Sequence, residues 1–258
     1  MEFRTARLPT QWGEMFVPEA GAGEPMILVH GLGVSGTYFL RAGHLLSLHF
    51  HVFIPDMPGS GRSAKPWHVL NTCELADTLA AWSSASNLGP AHWVANSFGC
   101  QVVADLALRY PELVKSLVLL GPTIDLKART TVHQSVRLAL DATREPFSEV
   151  LIALADYARF GLLRFVRTFF YALADKIETK LPHITAPTLV MRGARDPIVP
   201  QAWAEHLTAL LPRGELSVVP DSAHTVHYSA PEEFVLRVLR FIARSAVAEH
   251  ERHHERAR

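Results

Sequence analysis

Apolar and polar positions follow two rhythms along this chain. Short runs that are apolar almost throughout recur at Met15–Val17, Met26–His30, Val52–Ile54, Trp93–Ala95, Ser116–Leu120, Thr188–Met191 and Leu216–Val219. Runs of that length and composition suit the central strands of a sheet covered on both faces. Between them the apolar positions take helical spacing, over Thr37–Leu48, Thr72–Ser86, Phe98–Tyr110, Gln201–Leu211 and Pro231–Ala243. Strand and helix alternating in this way predict an α/β protein built on a doubly wound, mostly parallel sheet.

One interval breaks the alternation. From Pro122 to Leu181 there is no strand candidate, only helical pattern. Leu162, Phe165, Val166, Phe169, Phe170 and Leu173 fall on one side of a helix, and Arg164, Arg167, Thr168 and Asp175 on the other. The expected organisation is a core made of residues 1–121 and 182–248, a helical insertion at 122–181, and a charged tail at 249–258. A basic amphipathic helix also suits a membrane surface; packing of its Phe-rich face over the sheet is the reading preferred here. The tail, rich in Glu, Arg and His, either prolongs the last helix or is solvated coil, and carries no function in this reading.

Composition narrows the function classes. Lys+Arg and Asp+Glu balance at 25 each, so no global field attracts nucleic acid or an anionic membrane. No run reaches the about 18 apolar residues of a membrane span, and the first residues lack the apolar core of a secretory signal. Cys73 and Cys100 have no metal-ligand spacing, and Cys100 reads as a small buried hydrophobe. A cytoplasmic protein acting on a small molecule is expected, without nucleic-acid or membrane partners.

The sharpest chemical feature is Ala95-Asn96-Ser97-Phe98-Gly99, where an apolar strand runs directly into a helical pattern. A strand–serine–helix turn is so tight that the residues two positions to either side must be small. It leaves the hydroxyl exposed at the sheet edge above a helix N-terminus, where the Phe98 N–H is available to a developing oxyanion. Val29-His30-Gly31-Leu32-Gly33 follows an earlier strand, and its glycines let the backbone aim a second N–H, that of Leu32, at the same point. Asp196 follows the strand Thr188–Met191 in a loop stiffened by Pro197 and Pro200, with Asp125 as a rival acid beyond Leu120. His224 falls in the loop before the last helix, which Ser229 and Glu232 open with capping-box spacing. His227, nearer that helix, is the rival base.

Together these segments resemble the α/β-hydrolase fold superfamily over Met15–Ala243, including its chain order Ser…Asp…His. The stretch Asp56-Met57-Pro58-Gly59-Ser60-Gly61-Arg62-Ser63 is similar to a turn that is structural in that family. The resemblance implies Ser97 as nucleophile, His224 as general base, Asp196 as orienting acid, Leu32 and Phe98 as the oxyanion hole, and residues 122–181 as a cap over the site. It implies no cofactor and no metal. Serine rather than aspartate at 97 argues against the dehalogenase and epoxide-hydrolase branches. An apolar acyl or aryl pocket is expected from Phe39, Phe165, Phe169 and Phe170, hence an ester or lactone substrate. A C–C bond hydrolase of aromatic-degradation diketones is the alternative, although Thr225 follows the base where a bulky aromatic is expected in that branch. A low-turnover receptor that keeps the triad is a third reading. An ordinary histidine base would make activity rise with pH through roughly 6–7.

Overall fold

Every strand from the third onward runs in the same direction, and the chain reverses only at the outer edge of the sheet. In this computed structural model, which describes residues 2–256, eight strands form one sheet. They are β1 (Arg4–Thr10), β2 (Gly13–Ala20), β3 (Pro25–Val29), β4 (His51–Phe53), β5 (Ala91–Asn96), β6 (Val114–Leu120), β7 (Thr188–Gly193) and β8 (Gly214–Val219). Their order is β1-β2-β4-β3-β5-β6-β7-β8. β2 pairs antiparallel with both β1 and β4, and all other pairs are parallel. The fold is therefore α/β with a mostly parallel sheet, as the pattern predicts. The order reverses direction between β3 and β5, which places the site at the crevice where helices leave the sheet on opposite faces.

The central strands send alternate side chains to the two faces. Ile27, Val29, Trp93, Ala95, Leu117 and Leu119 belong to one buried core, packed against the helices α2 (Thr72–Ala85), α3 (Phe98–Arg109) and α8 (Gln201–Leu210). Met26, Leu28, Val94, Val118, Leu120 and Met191 belong to the other, packed against α1 (Leu40–Leu46) and α10 (Pro231–Arg256). The α2 helix starts at a full capping box, in which Asn71 and Glu74 each accept from the other's backbone N–H.

β1 was not expected from the sequence. It is an edge strand whose side chains are exposed or half-buried, with Arg4, Arg7 and Pro9 at positions a core strand would fill with apolar residues. The stretch expected to be one helix over Thr37–Leu48 opens as a 3-10 turn, Gly36–Phe39, before α1.

Between β6 and β7 there is no strand among the described residues. Four helices fill the interval: α4 (Thr131–Ala142), α5 (Phe147–Phe160), α6 (Leu162–Ala174) and α7 (Ile177–Lys180). The face that α6 turns inward is rotated from the expected one. Thr168 and Ala172 are buried and Phe165 and Phe169 half-buried, while Leu162, Leu163, Val166 and Phe170 are exposed. The rotation goes with a long-range contact: Arg164, expected outside, turns in and donates to the Pro66 carbonyl.

A one-turn helix α9 (Val226–Ser229) precedes α10, which continues to Arg256, so the tail prolongs the last helix and its final two residues lie outside the described ones. No helix of the described residues is long and apolar enough to cross a membrane.

Candidate active site

Ser97 sits between β5 and α3 at φ 56°, ψ −121°, a conformation that L-residues seldom adopt and that costs about 1–3 kcal/mol. The turn closes so tightly that its neighbours have no room. A Cβ on Gly99 would lie 2.6 Å from the carbonyl oxygen of His30, and one on Gly31 would lie 3.2 Å from the Cβ of Ser97. Ala95, where a glycine is usual, is wholly buried and its methyl is accommodated in the core. Ser97 N–H donates to Leu120 O at 2.9 Å, tying the turn to the adjacent strand.

A cavity of about 170 Å³ opens above this turn, lined by Ser97, His224, Leu32 and Phe98 among others. Phe98 is the first residue of α3, where backbone N–H groups have no intrahelical acceptor. Tyr38 braces the two loops that meet here. Its hydroxyl accepts from Gly31 N–H at 2.7 Å and donates to Asn96 Oδ1 at 2.8 Å. The Asn96 amide reaches on to Leu120 O and His224 O.

His224 Nδ1 lies 2.8 Å from Asp196 Oδ2. The other oxygen of Asp196 accepts from the N–H groups of Ile198 and Val199, at 2.7 and 3.0 Å, so the carboxylate is fixed by its own loop. Buried Arg192 holds that loop from behind, donating to the carbonyls of Val199 and Asp196. Gly121, at φ +59°, leaves the space the pair needs. Burial alone would lower the pKa of His224. The charge and hydrogen bond of Asp196, with the charges of Asp141 and Glu145, outweigh it and raise the pKa to about 9. His224 Nε2 is buried and has no hydrogen-bond partner.

The rival residues are occupied elsewhere. Asp125 pairs with Arg137 at 2.9 Å and accepts from Lys127 N–H. His227 is fully buried, its ring 4.1 Å from that of Phe39 and 4.4 Å from that of Tyr38. Burial, then the charge of His224, push its pKa well below the usual histidine value.

Of the four aromatics expected at the substrate, Phe165 and Phe169 line the cavity. Phe39 and Phe170 do not. Phe39 has no exposed surface and packs in the core beneath, because its neighbour Tyr38 takes the cavity side of the 3-10 turn. Phe170 is 54% exposed on the outer face of α6.

Several residues of the site were not expected. Asp141 and Glu149, from α4 and α5, line the cavity although both are buried. Glu145, between those helices, accepts from the backbone N–H and hydroxyl of Thr225, each at 2.6 Å, and so fastens the loop of His224 to the helical segment. A glycine immediately after the strand Ser116–Leu120 was a readable signal for Gly121. The acids of α4 and α5 look in sequence like an ordinary solvated helix surface.

Asp56 and its turn form a scaffold. Its carboxylate accepts from Gly36 N–H and Arg62 N–H, and Ser63 donates to its carbonyl.

Comparison with known proteins agrees with this geometry. The family model for the alpha/beta hydrolase fold matches residues 24–151. The pimeloyl-[acyl-carrier protein] methyl ester esterase of Vibrio vulnificus (strain CMCP6) is 26% identical over 247 residues, covering 86% of this chain and 95% of the relative. The pyrrolizixenacetamide deacetylase of Xenorhabdus hominickii is 27% identical over 248 residues, covering 86% and 92%. The crystal structure of a bacterial membrane phospholipase A superposes with a TM-score of 0.82 at 23% identity, covering 95% of this chain and 87% of that one. Sheet order, serine turn and family match together make this chain an enzyme of the α/β-hydrolase superfamily.

Proposed function

We propose that this enzyme is a serine hydrolase that cleaves a carboxylic ester or lactone with an apolar acyl or aryl group. The observation that carries the reading is the meeting, in one cavity, of a serine held at φ 56° and a histidine whose Nδ1 is fixed by Asp196 while its Nε2 is unpartnered. With Nδ1–H committed to Asp196, Nε2 is left unpartnered in the cavity that Ser97 also lines, and in this reading it accepts the serine proton. Catalytic hydrogen bonds of this kind often close only once substrate is bound.

Ser97 Oγ attacks the carbonyl carbon as His224 takes its proton, and the N–H groups of Leu32 and Phe98 stabilise the oxyanion. The C–O bond to the leaving alcohol breaks, and the imidazolium returns the proton to that oxygen. Water, deprotonated by His224, then releases the acid and regenerates Ser97. In this reading residues 122–181 are a cap: Leu138, Val150, Tyr157, Phe165 and Phe169 supply the apolar wall against which the acyl or aryl group lies. One of the relatives is named for hydrolysing a methyl ester and another for removing an acetyl group, which supports acyl transfer. The reaction needs no cofactor.

A fluorophosphonate probe tests the assignment. It is expected to label the wild-type protein at Ser97, and Ser97→Ala should remove both labelling and p-nitrophenyl ester hydrolysis. Labelling at another residue, or turnover by the variant, would overturn it.

A further inference from the structure

The cavity wall carries more negative groups than the hydrolysis of a neutral ester requires. Asp141 and Glu149 both line it, with 5% and 7% of their surface exposed. No lysine or arginine is among the described residues of that wall. Glu145 nearby is committed to Thr225, whereas Asp141 Oδ1 is buried and has no hydrogen-bond partner. His224 is the one wall residue that can become cationic, and its Nδ1 is already engaged with Asp196. A buried acceptor without a donor is unfavourable, and the charge of His224, which is shared with Asp196, is the single cationic counterpart of the two carboxyls among the described residues of that wall. Aromatic rings stand in the same wall: Tyr157 packs edge-on against Phe165, and Phe165 stacks on Phe169. Carboxylates beside aromatic rings in a cavity lined mainly by apolar side chains are the chemistry that holds an organic cation.

We propose that Asp141 and Glu149 form a cation subsite, and that the substrates of this enzyme carry an alkylammonium group on their apolar portion. The proposal rests on the hydrolase reading for the word substrate, but the subsite itself does not need catalysis. An ammonium donates to Asp141 Oδ1 and lies between it and Glu149, while its alkyl or aryl stem takes the apolar wall. Burial, then the charge of His224 in the opposite sense, then neighbouring acids, leave Asp141 at about 7. Burial and the charges of Glu145 and Asp141, against that of His224, leave Glu149 also at about 7. Both carboxyls are therefore mostly ionised at mildly alkaline pH, ready for a cation.

Calorimetric titration of the full chain at pH 8 with 4-phenylbutylammonium and with the neutral isostere 4-phenylbutanol tests this. The ammonium is expected to bind about tenfold tighter or better, and to slow fluorophosphonate labelling of Ser97. In Glu149→Gln the preference should shrink, and in Asp141→Asn/Glu149→Gln it should fall to about threefold or less. Equal affinity for amine and alcohol, or an undiminished preference in Glu149→Gln, would overturn the subsite. If the double variant does not fold, Glu149→Gln alone decides. Absence of labelling at Ser97 with ammonium preference intact would refute the hydrolase reading and leave the subsite standing.

Discussion

Gly121 and His224 stand so close that the Cβ of any other residue at 121 would lie 2.7 Å from the imidazole Cε1 and 2.8 Å from Nδ1. The same Cβ would be 3.5 Å from Asp196 Oδ2. The position is also at φ +59°, which glycine alone adopts without strain. Gly121→Ala is therefore expected to push the imidazole off Asp196 and to lower kcat by about 10²-fold, since a displacement near 1 Å is enough for such a loss. Thermal unfolding measured alongside kcat checks the cause: a loss of activity much larger than the drop in Tm locates the damage at the histidine.

The two acids and two histidines separate by experiment because the structure gives them different partners. Asp196→Asn and His224→Ala should each lower kcat by about 10⁴-fold. Asp125→Asn removes one side of the pair with Arg137, and His227→Ala leaves a hole beside Phe39 and Phe234. Both should lower Tm while keeping kcat within about tenfold of wild type. A larger kcat loss in Asp125→Asn than in Asp196→Asn would move the acid to the β6 end.

The serine turn was legible in the sequence because its constraints are local. Ala95, Ser97 and Gly99 are within one turn of each other, and the strand before them is continuously apolar. The seven strands β2 to β8 were legible as short apolar runs, the inner ones because they are covered on both faces. β1 was not, since an edge strand is half solvated and its Arg4 and Arg7 look like loop. The acids Asp141 and Glu149 were hidden by a different cause. Nothing in the local pattern of α4 and α5 says which of their polar positions will be folded under the helices, and only the packing of 122–181 over the sheet decides it. The rotation of α6 by about one position belongs to the same class: Arg164 finds the Pro66 carbonyl, a partner nearly a hundred residues away. That rotation separates Phe169 from Phe170, which the sequence had placed side by side.

The pH profile follows from His224. Its pKa is raised to about 9, and it must be neutral to accept the proton of Ser97, so the active fraction grows as pH rises. For a slow ester limited by chemistry, kcat/KM should rise about tenfold per pH unit from 6 to 8 and level near 9, later than the 6–7 expected of an ordinary histidine. Asp141 contributes to holding the proton on, so Asp141→Asn should move the midpoint toward lower pH. A midpoint unmoved in Asp141→Asn, or a plateau already reached at pH 7, would contradict this electrostatic account.

Phe169 and Phe170 give the last test, because these neighbours on one helix meet different surroundings. Phe169 is part of the cavity wall and stacks on Phe165, whereas Phe170 is more than half exposed. If 122–181 is a cap that touches the acyl or aryl group, Phe169→Ala should weaken long or aromatic acyl esters by about 1–3 kcal/mol, roughly 10- to 100-fold in kcat/KM. Short acetyl esters, which do not reach the wall, should change little. Phe170→Ala should leave the ratio of long to short substrates unaltered. The exposed set Leu162, Leu163, Val166 and Phe170, with Arg167 beside it, also gives the membrane-surface reading of this helix a definite form. In that case Phe170→Ala and Arg167→Gln would lower binding to anionic vesicles while Phe169→Ala would not. Equal effects of Phe169→Ala on long and short esters would mean that the ring supports the fold and does not read the substrate.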